Sequence, residues 1–191
     1  MTKKISNWIT KNSTVVHDNP WFLVRKNDVL RPDGNDGVYY TVEHKPLEGR
    51  GGVEVLPITK EGKILLVRIA RFTEDVICWE VPAGGQEQKD QDILETAKRE
   101  LSEETGYSTD KFKVLYNPYM QLVGCATVKG NVVLAHEVEK ISNGDMFDEG
   151  ISEIKQFSLE EAEEMIKNGE IVDAQSIVAI YFYKLYLEDL K

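Results

Sequence analysis

Glu100, Glu103 and Glu104 lie in the segment Arg99-Glu100-Leu101-Ser102-Glu103-Glu104-Thr105-Gly106. Their i, i+3 and i+4 spacing puts all three carboxylates on one face of a helix. Leu94, Ala97 and Leu101 form a neighbouring apolar stripe that would anchor the helix and turn the acidic face into a cleft. Three like charges repel one another, and near a helix C-terminus the macrodipole adds to the cost. Such a face persists if solvent screens it or a cation neutralises it. Hard divalent ions such as Mg²⁺ or Mn²⁺ prefer carboxylate oxygens, and they also bind phosphates. A solvated acidic helix face is the plain alternative, and the triplet alone does not choose between them.

The surrounding spacing does choose. Residues Gly85 to Tyr107 resemble the Nudix box: Gly, five residues, Glu, seven residues, then Arg-Glu-apolar-x-Glu-Glu-x-Gly-apolar. Gly85, Arg99, Glu100, Leu101, Glu103, Glu104 and Gly106 fall in register. The chain departs from the pattern at the first glutamate, which is Gln91 here, and Asp90 replaces the glycine that often precedes it. In the family that carboxylate pairs with the arginine of the box and supports the metal site. Gln91 still offers Arg99 an uncharged acceptor, which makes a weaker pair. Glu87, Asp90 and Asp92 are the neighbours that could supply the charge through a shifted loop. With the three helix carboxylates intact, the expectation is a retuned site, not a dead one.

The resemblance extends to one branch, the ADP-ribose and nucleoside-diphosphate-sugar pyrophosphatases. Trp79-Glu80-Val81-Pro82-Ala83-Gly84-Gly85 looks like their Trp-Glu-x-Pro-Ala-Gly segment. Leu65-Leu66-Val67-Arg68-Ile69-Ala70-Arg71 resembles their arginine-bearing strand, with Ile69 and Ala70 departing, and Gly169 to Ile177 matches their end. The loop after the box departs, since Val123-Gly124 stands where the branch often has Pro-Gly. This resemblance implies metal held by Glu100, Glu103 and Glu104 with the Ala83 carbonyl, the cofactor being Mg²⁺ or Mn²⁺. It implies substrate contacts from Arg71, Arg68 and Glu80, and a general base from the acidic stretch Asp145 to Glu153, where Glu149 and Glu153 are the candidates alongside Asp148. Trp21 or Phe22 would stack a nucleobase across a homodimer; a core aromatic in a strand is the alternative for Trp21. The implied reaction is metal-assisted attack of water on a diphosphate, giving a nucleoside monophosphate and a sugar phosphate. Two other readings stay open: a Nudix hydrolase of dinucleoside polyphosphates or nucleoside triphosphates, and a nucleotide-sugar binding module whose catalysis has decayed at Gln91.

The elements that must position these residues follow from pattern. Trp21–Arg25 and Val38–Glu43 read as strands around the turn cluster 31–37, and Leu47–Gly52 reads as a joint. Val53–Ile58 and Lys63–Arg68 flank a hairpin turn at Thr59–Gly62, with a further strand over Val76–Val81. Asp92 with Glu95 predicts a capping box opening a helix that Gly106 closes. Strands are expected near Phe112–Tyr116 and Val132–Val138. Ser158 with Glu161 predicts a second capped helix ending at Gly169, and Asp173 opens a final amphipathic helix. The fold class is therefore α+β, a mixed sheet between helical layers; the resemblance implies a Nudix α/β/α sandwich preceded by a small antiparallel β unit. The expected division is a β unit over 1–50, used in dimerisation, and a catalytic domain over 51–191.

Composition narrows the partners. The 191 residues carry 23 Lys and Arg against 33 Asp and Glu, a net charge of −10. A field of that sign repels polyphosphate backbones, which excludes non-specific nucleic-acid binding, and leaves any phosphate substrate to local cations. The longest apolar run, Ile177 to Tyr183, falls far short of the roughly 18 residues of a membrane span. The start, Met-Thr-Lys-Lys-Ile-Ser-Asn-Trp, lacks a secretory signal pattern. Cys78 and Cys125, each in an apolar stretch, suit a reducing cytoplasm.

Overall fold

The computed structural model describes residues 7–47, 50–146 and 148–190. The basic start of the chain and part of the expected joint, Glu48 and Gly49, lie outside the described residues, as does Phe147. The chain divides into two compact units, one running to Arg50 and including Met120–Val128, the other made of Gly51–Tyr119 and Lys129–Lys191.

In the first unit, β1 (Ile9–Asp18), β2 (Phe22–Leu30) and β3 (Asp36–His44) form an antiparallel sheet in the order β1-β2-β3. The turn cluster closes as expected: the Gly34 N–H donates to the Arg31 carbonyl at 2.9 Å, and Gly34 supplies the positive φ of 88° that the turn requires. A short 3-10 turn follows at Lys45–Leu47. β1 was not foreseen, because its sequence Ile-Thr-Lys-Asn-Ser-Thr-Val-Val-His-Asp is polar through the middle and every residue of it is exposed. The segment 120–128 also belongs here: the Val42 N–H donates to the Cys125 carbonyl (2.8 Å) and the Tyr39 hydroxyl donates to the Gly124 carbonyl (2.5 Å).

The second unit contains β4 (Gly52–Ile58), β5 (Ile64–Arg71), β6 (Val76–Glu80), β7 (Ala83–Gly85), α1 (Ile93–Thr105), β8 (Tyr107–Ser108), β9 (Phe112–Met120), β10 (Lys129–His136), β11 (Glu139–Lys140), β12 (Ile151–Phe157), α2 (Leu159–Asn168) and α3 (Ala174–Asp189). The main sheet runs β12-β5-β4-β10-β9, with β6 paired to β5 and β7 to β4, while β8 and β11 form a separate ribbon. β4 and β10 are parallel; the pairs of β5 with β4, β6 and β12 are antiparallel, so the sheet is mixed. Both faces are covered. Val53, Val55, Val133 and Ala135 pack with Ala97 and Leu101 of α1 on one side. On the other, Leu56, Ile58, Val132 and Leu134 pack with α2 and α3. Burial on two faces explains why β4 and β10 read as continuous apolar runs.

The helix ends match their signals, with instructive differences. Asp92 caps α1 by accepting the Leu94 and Glu95 N–H groups, and Gly106 ends it in the left-handed region at φ 70°. Glu95, however, reaches back to the Gln91 N–H (2.8 Å), so the expected reciprocal box at Asp92 is not closed. The box at Ser158 and Glu161 is closed in both directions. α3 is capped by Asp173, yet it is not cleanly amphipathic: Ala179, Ile180 and Tyr183 are buried while Tyr181 and Leu185 are exposed. Its first turn pins the end of β6, since Ser176 Oγ accepts from the Val81 N–H (3.0 Å) and donates to Asp173 Oδ2 (2.7 Å). Among the described residues no helix is long and apolar enough to cross a membrane.

One buried charge in this core was invisible to patterning. Glu54, on the α3 side of β4, is 1% exposed, and burial pushes its carboxyl up to about 7, with the Asp173 charge adding to the shift and the Tyr119 hydroxyl opposing it. The folded state therefore keeps the Glu54 proton longer than the unfolded chain does. Stability from this residue is full below about pH 4.5 and is lost as pH rises through about 7. Glu54→Gln should remove that loss, on the order of 2 kcal/mol. Urea midpoints of both proteins at pH 5 and pH 8 test it: equal losses in the two would overturn the assignment.

Candidate active site

α1 presents its carboxylates because its opposite face is fixed: Leu101 and Ala97 are fully buried, and both helix ends are capped. Glu100 and Glu104 are drawn inward, while Glu103, with its side chain 42% exposed, stays at the rim. β7 runs beside them. The Ala83 N–H donates to Glu104 Oε2 at 3.2 Å, and a Cβ on Gly84 would overlap the Glu100 carboxylate. Glycine at 84 is thus a requirement of close approach, and the segment Pro82–Gly85 forms a wall against which the carboxylates are held.

Arg99 is the fixed cation of the site. Its Nη1 lies 2.8 Å from Glu100 Oε1, 3.0 Å from Glu103 Oε2 and 3.5 Å from Glu87 Oε1. Nη2 donates to the Gly85 carbonyl (2.9 Å) and to Asp90 Oδ2 (3.1 Å). Of the three neighbours that could replace the missing box glutamate, Asp90 is the buried one and meets Arg99 from two nitrogens. Asp92 is committed to the helix cap.

The remaining charge is not balanced. Burial pushes the Glu104 carboxyl up to about 8, and the charges of Glu100 and Glu149 push the same way against the Ala83 N–H. Glu100 is raised as well, chiefly by burial, although Arg99 opposes the shift. The charge of Glu149, in the turn before β12, contributes to both. Among the described residues no three Asp, Glu, His or Cys side chains already converge on one point as a cage; Glu100 and Glu103 share Arg99 instead. The donor set nevertheless fits a hard divalent cation: all oxygen, partly buried, and carrying more negative charge than one guanidinium offsets.

The other expected residues are placed as follows. Arg71 grips Glu80 with two nitrogens, Nε at 2.9 Å and Nη2 at 2.5 Å, and the Glu80 side chain is only 5% exposed. Cys78 donates its thiol proton to the same carboxylate, and burial pushes that thiol up to about 12. Arg71 also lies within electrostatic reach of Asp173 and Glu104. Glu153 is not in a loop: it lies on β12, 3.7 Å from Arg68 Nη1 and 2.6 Å from Lys155 Nζ. Arg68 and Glu153 thus form a pair on the β5–β12 ladder. Trp21, in the first unit, sits in the turn before β2 and is 62% exposed, so the alternative of a core aromatic does not hold for it.

Sequence reasoning did not foresee that Gly84 and Glu100 occupy one space, because the contact joins two elements. Gly84→Ala should displace the Glu100 carboxylate, lowering turnover at least tenfold and the melting temperature by a few degrees. Steady-state kinetics with thermal unfolding checks this, and unchanged turnover would show that Glu100 has room to move.

Comparison with known proteins agrees with the geometry. A family model described as the NUDIX domain matches residues 49–178, and one described as the nucleoside diphosphate sugar hydrolase N-terminal domain matches residues 8–42. A Bacillus subtilis protein named ADP-ribose pyrophosphatase is 33% identical over 159 residues, spanning 83% of this chain and 82% of that one. A Streptomyces rubellomurinus protein named CMP-5'-(N-acetyl-N-hydroxy-3-aminopropyl)phosphonate hydrolase is 28% identical, over 91% of this chain and 80% of its own length. A crystal structure of an ADP compounds hydrolase superposes with a TM-score of 0.83 at 18% identity, over 99% of this chain and 98% of that one, which shows the fold. With the box helix, its carboxylates and its arginine assembled on that fold, and with the family model spanning most of the chain, this protein belongs to the Nudix hydrolase family.

Proposed function

We propose that the chain hydrolyses the diphosphate of ADP-ribose or a related nucleoside-diphosphate sugar to a nucleoside monophosphate and a sugar phosphate. The observation that carries this reading is the pair Glu100 and Glu104 held against the Ala83–Gly85 strand, where the Ala83 N–H donates to Glu104 and a Cβ on Gly84 would overlap the Glu100 carboxylate. The relative named ADP-ribose pyrophosphatase and the N-terminal family match support the substrate class.

Nudix hydrolases generally work with a divalent metal; we assign Mg²⁺ or Mn²⁺ here, held by Glu100, Glu103 and Glu104 with the Ala83 carbonyl. When bound, such an ion supplies charge neutralisation and a lowered water pKa. The chain's own residues do the rest. Arg99 fixes Glu100 and Glu103, and the β7 wall fixes Glu104. Arg71, held rigid by Glu80, turns its guanidinium toward the substrate phosphates. Glu149 takes the proton from attacking water; it is preferred to Glu153, which the Arg68 and Lys155 pairs hold on β12.

Coupled phosphate release from ADP-ribose, GDP-mannose, UDP-glucose, diadenosine polyphosphates and nucleoside triphosphates tests the reading. Metal-dependent release confined to the diphosphate sugars is expected, abolished by a chelator. Glu104→Gln and Glu149→Gln should each lower kcat at least a hundredfold, while Glu153→Gln stays within a few-fold. Release only from polyphosphates would overturn the substrate class.

We also propose a homodimer built through the first unit, in the cytoplasm. The sheet leaves apolar side chains exposed on both faces, Trp8 and Val15 on one and Ile9 and Tyr40 on the other, with Val16 exposed as well, and a second copy would cover one of these faces. Free Cys78 and Cys125 suit a reducing compartment. Sedimentation equilibrium should give twice the chain mass, and Val16→Glu should shift the protein toward monomer.

A further inference from the structure

We infer that Asp90 is the positioning residue of this site: it holds the Arg99 guanidinium so that Glu100 and Glu103 are aligned for a divalent cation. The inference rests on the proposed metal-dependent hydrolysis and concerns which residue of this chain prepares the site for it.

Arg99 has a side chain only 13% exposed and must serve carboxylates on two sides. From α1 itself, Glu100 and Glu103 approach Nη1; from the loop before the helix, Glu87 approaches Nη1 and Asp90 approaches Nε and Nη2; from β7, the Gly85 carbonyl takes Nη2. These partners are not equivalent. Glu87 is half exposed and 3.5 Å away, so solvent screens it. Asp90 has a side chain 5% exposed and is itself locked, because Oδ2 accepts from the Thr96 hydroxyl (3.0 Å) and from the Glu87 N–H (3.0 Å). Thr96 is fully buried on α1, so Asp90 is tied to the same helix that carries the carboxylates. Gln91 is exposed, and the bond that fixes it is from its backbone N–H to Glu95.

The arrangement divides Arg99 into two edges. Nε and Nη2 face Asp90 and the Gly85 carbonyl, while Nη1 faces Glu100 and Glu103. A cation held by Glu100 and Glu103 would compete with the Nη1 edge for their oxygens, while Asp90 and the Gly85 carbonyl keep the other edge of the guanidinium in place. Without the Asp90 charge, Arg99 has no buried carboxylate opposing its pull on Glu100 and Glu103, and both would follow it. Metal affinity should then fall, and with it the alignment needed for turnover. The size expected for an outer partner of a metal ligand is about 10- to 100-fold.

The test measures Mn²⁺ binding directly, by the loss of the free-ion paramagnetic resonance signal, beside steady-state kinetics. For Asp90→Asn, affinity and kcat should each fall about tenfold or more, with KM for the diphosphate nearly unchanged. Asp90→Glu, which keeps the charge, should restore both to within about threefold of wild type. Gln91→Ala and Glu87→Gln should stay within about twofold. If Asp90→Asn does not fold, Thr96→Val removes the hydroxyl that aligns Asp90 and should weaken Mn²⁺ binding in the same direction. Unchanged affinity in Asp90→Asn, or equal losses in Glu87→Gln or Gln91→Ala, would overturn the inference while wild-type turnover left the proposed function standing. Wild-type protein that binds Mn²⁺ but cleaves no diphosphate would overturn that function, and the binding series would still decide Asp90.

Discussion

Arg99 stands among Asp90, Glu100 and Glu103 with most of its side chain out of water. Burial alone would lower its pKa, yet the hydrogen bond to Asp90 and the charges around it hold it above the ordinary arginine value. The same guanidinium opposes the burial that pushes the Glu100 carboxyl up. Where its reach ends, at Glu104, the balance tips and the carboxyl rises to about 8. The geometry of the site is thus set by a shortage of positive charge, and each neighbouring element can be read by how it meets that shortage.

The scaffold meets it with rigidity. A carboxylate that repels its neighbours will rotate into solvent unless it is prevented, and here α1 is anchored through Leu101 and Ala97 while β7 crosses in front of Glu100 and Glu104. β7 is held in turn by its ladder to β4, and the Val55 N–H donates to the Pro82 carbonyl at 2.8 Å. From the opposite layer, Ser176 fixes Val81. Three layers therefore converge on the short run Val81–Gly85, and their hydrogen bonds hold a segment that has little regular structure of its own.

What the sequence disclosed divides along a physical line. Interactions local in the chain were legible: the i, i+3, i+4 carboxylates, the caps at Asp92, Gly106, Ser158 and Gly169, and the hairpin turn at Thr59–Gly62. Interactions between distant segments were not. Glu153 reads as loop acid because an exposed edge strand needs no apolar alternation, and only the ladder to β5 reveals it as a strand residue paired with Arg68. β1 escaped for the same reason, its polar middle being stabilised by pairing to β2. At Gln91 the pattern predicts a weakened pair and leaves Glu87, Asp90 and Asp92 as candidates for the charge, because a linear pattern compares single positions; the fold of the loop is what selects Asp90 for the guanidinium. Segment 120–128 shows the converse case: an unusual loop sequence that is read by the backbone of β3, through Val42, and leaves no periodicity to detect.

The accounting of cations then constrains how an anionic substrate is received. Arg99 is surrounded by acids, Arg71 has two nitrogens on Glu80, and Arg68 faces Glu153. None of these is a lone positive charge waiting for phosphate, and the chain as a whole carries −10. A diphosphate approaching the cluster meets net repulsion from the protein's own side chains, which grows as Glu104 loses its proton. Cations drawn in by these same carboxylates would offset that repulsion. Excess acid around the site is therefore not a contradiction in this fold: a buried surplus of carboxylate is what a hard divalent cation would offset.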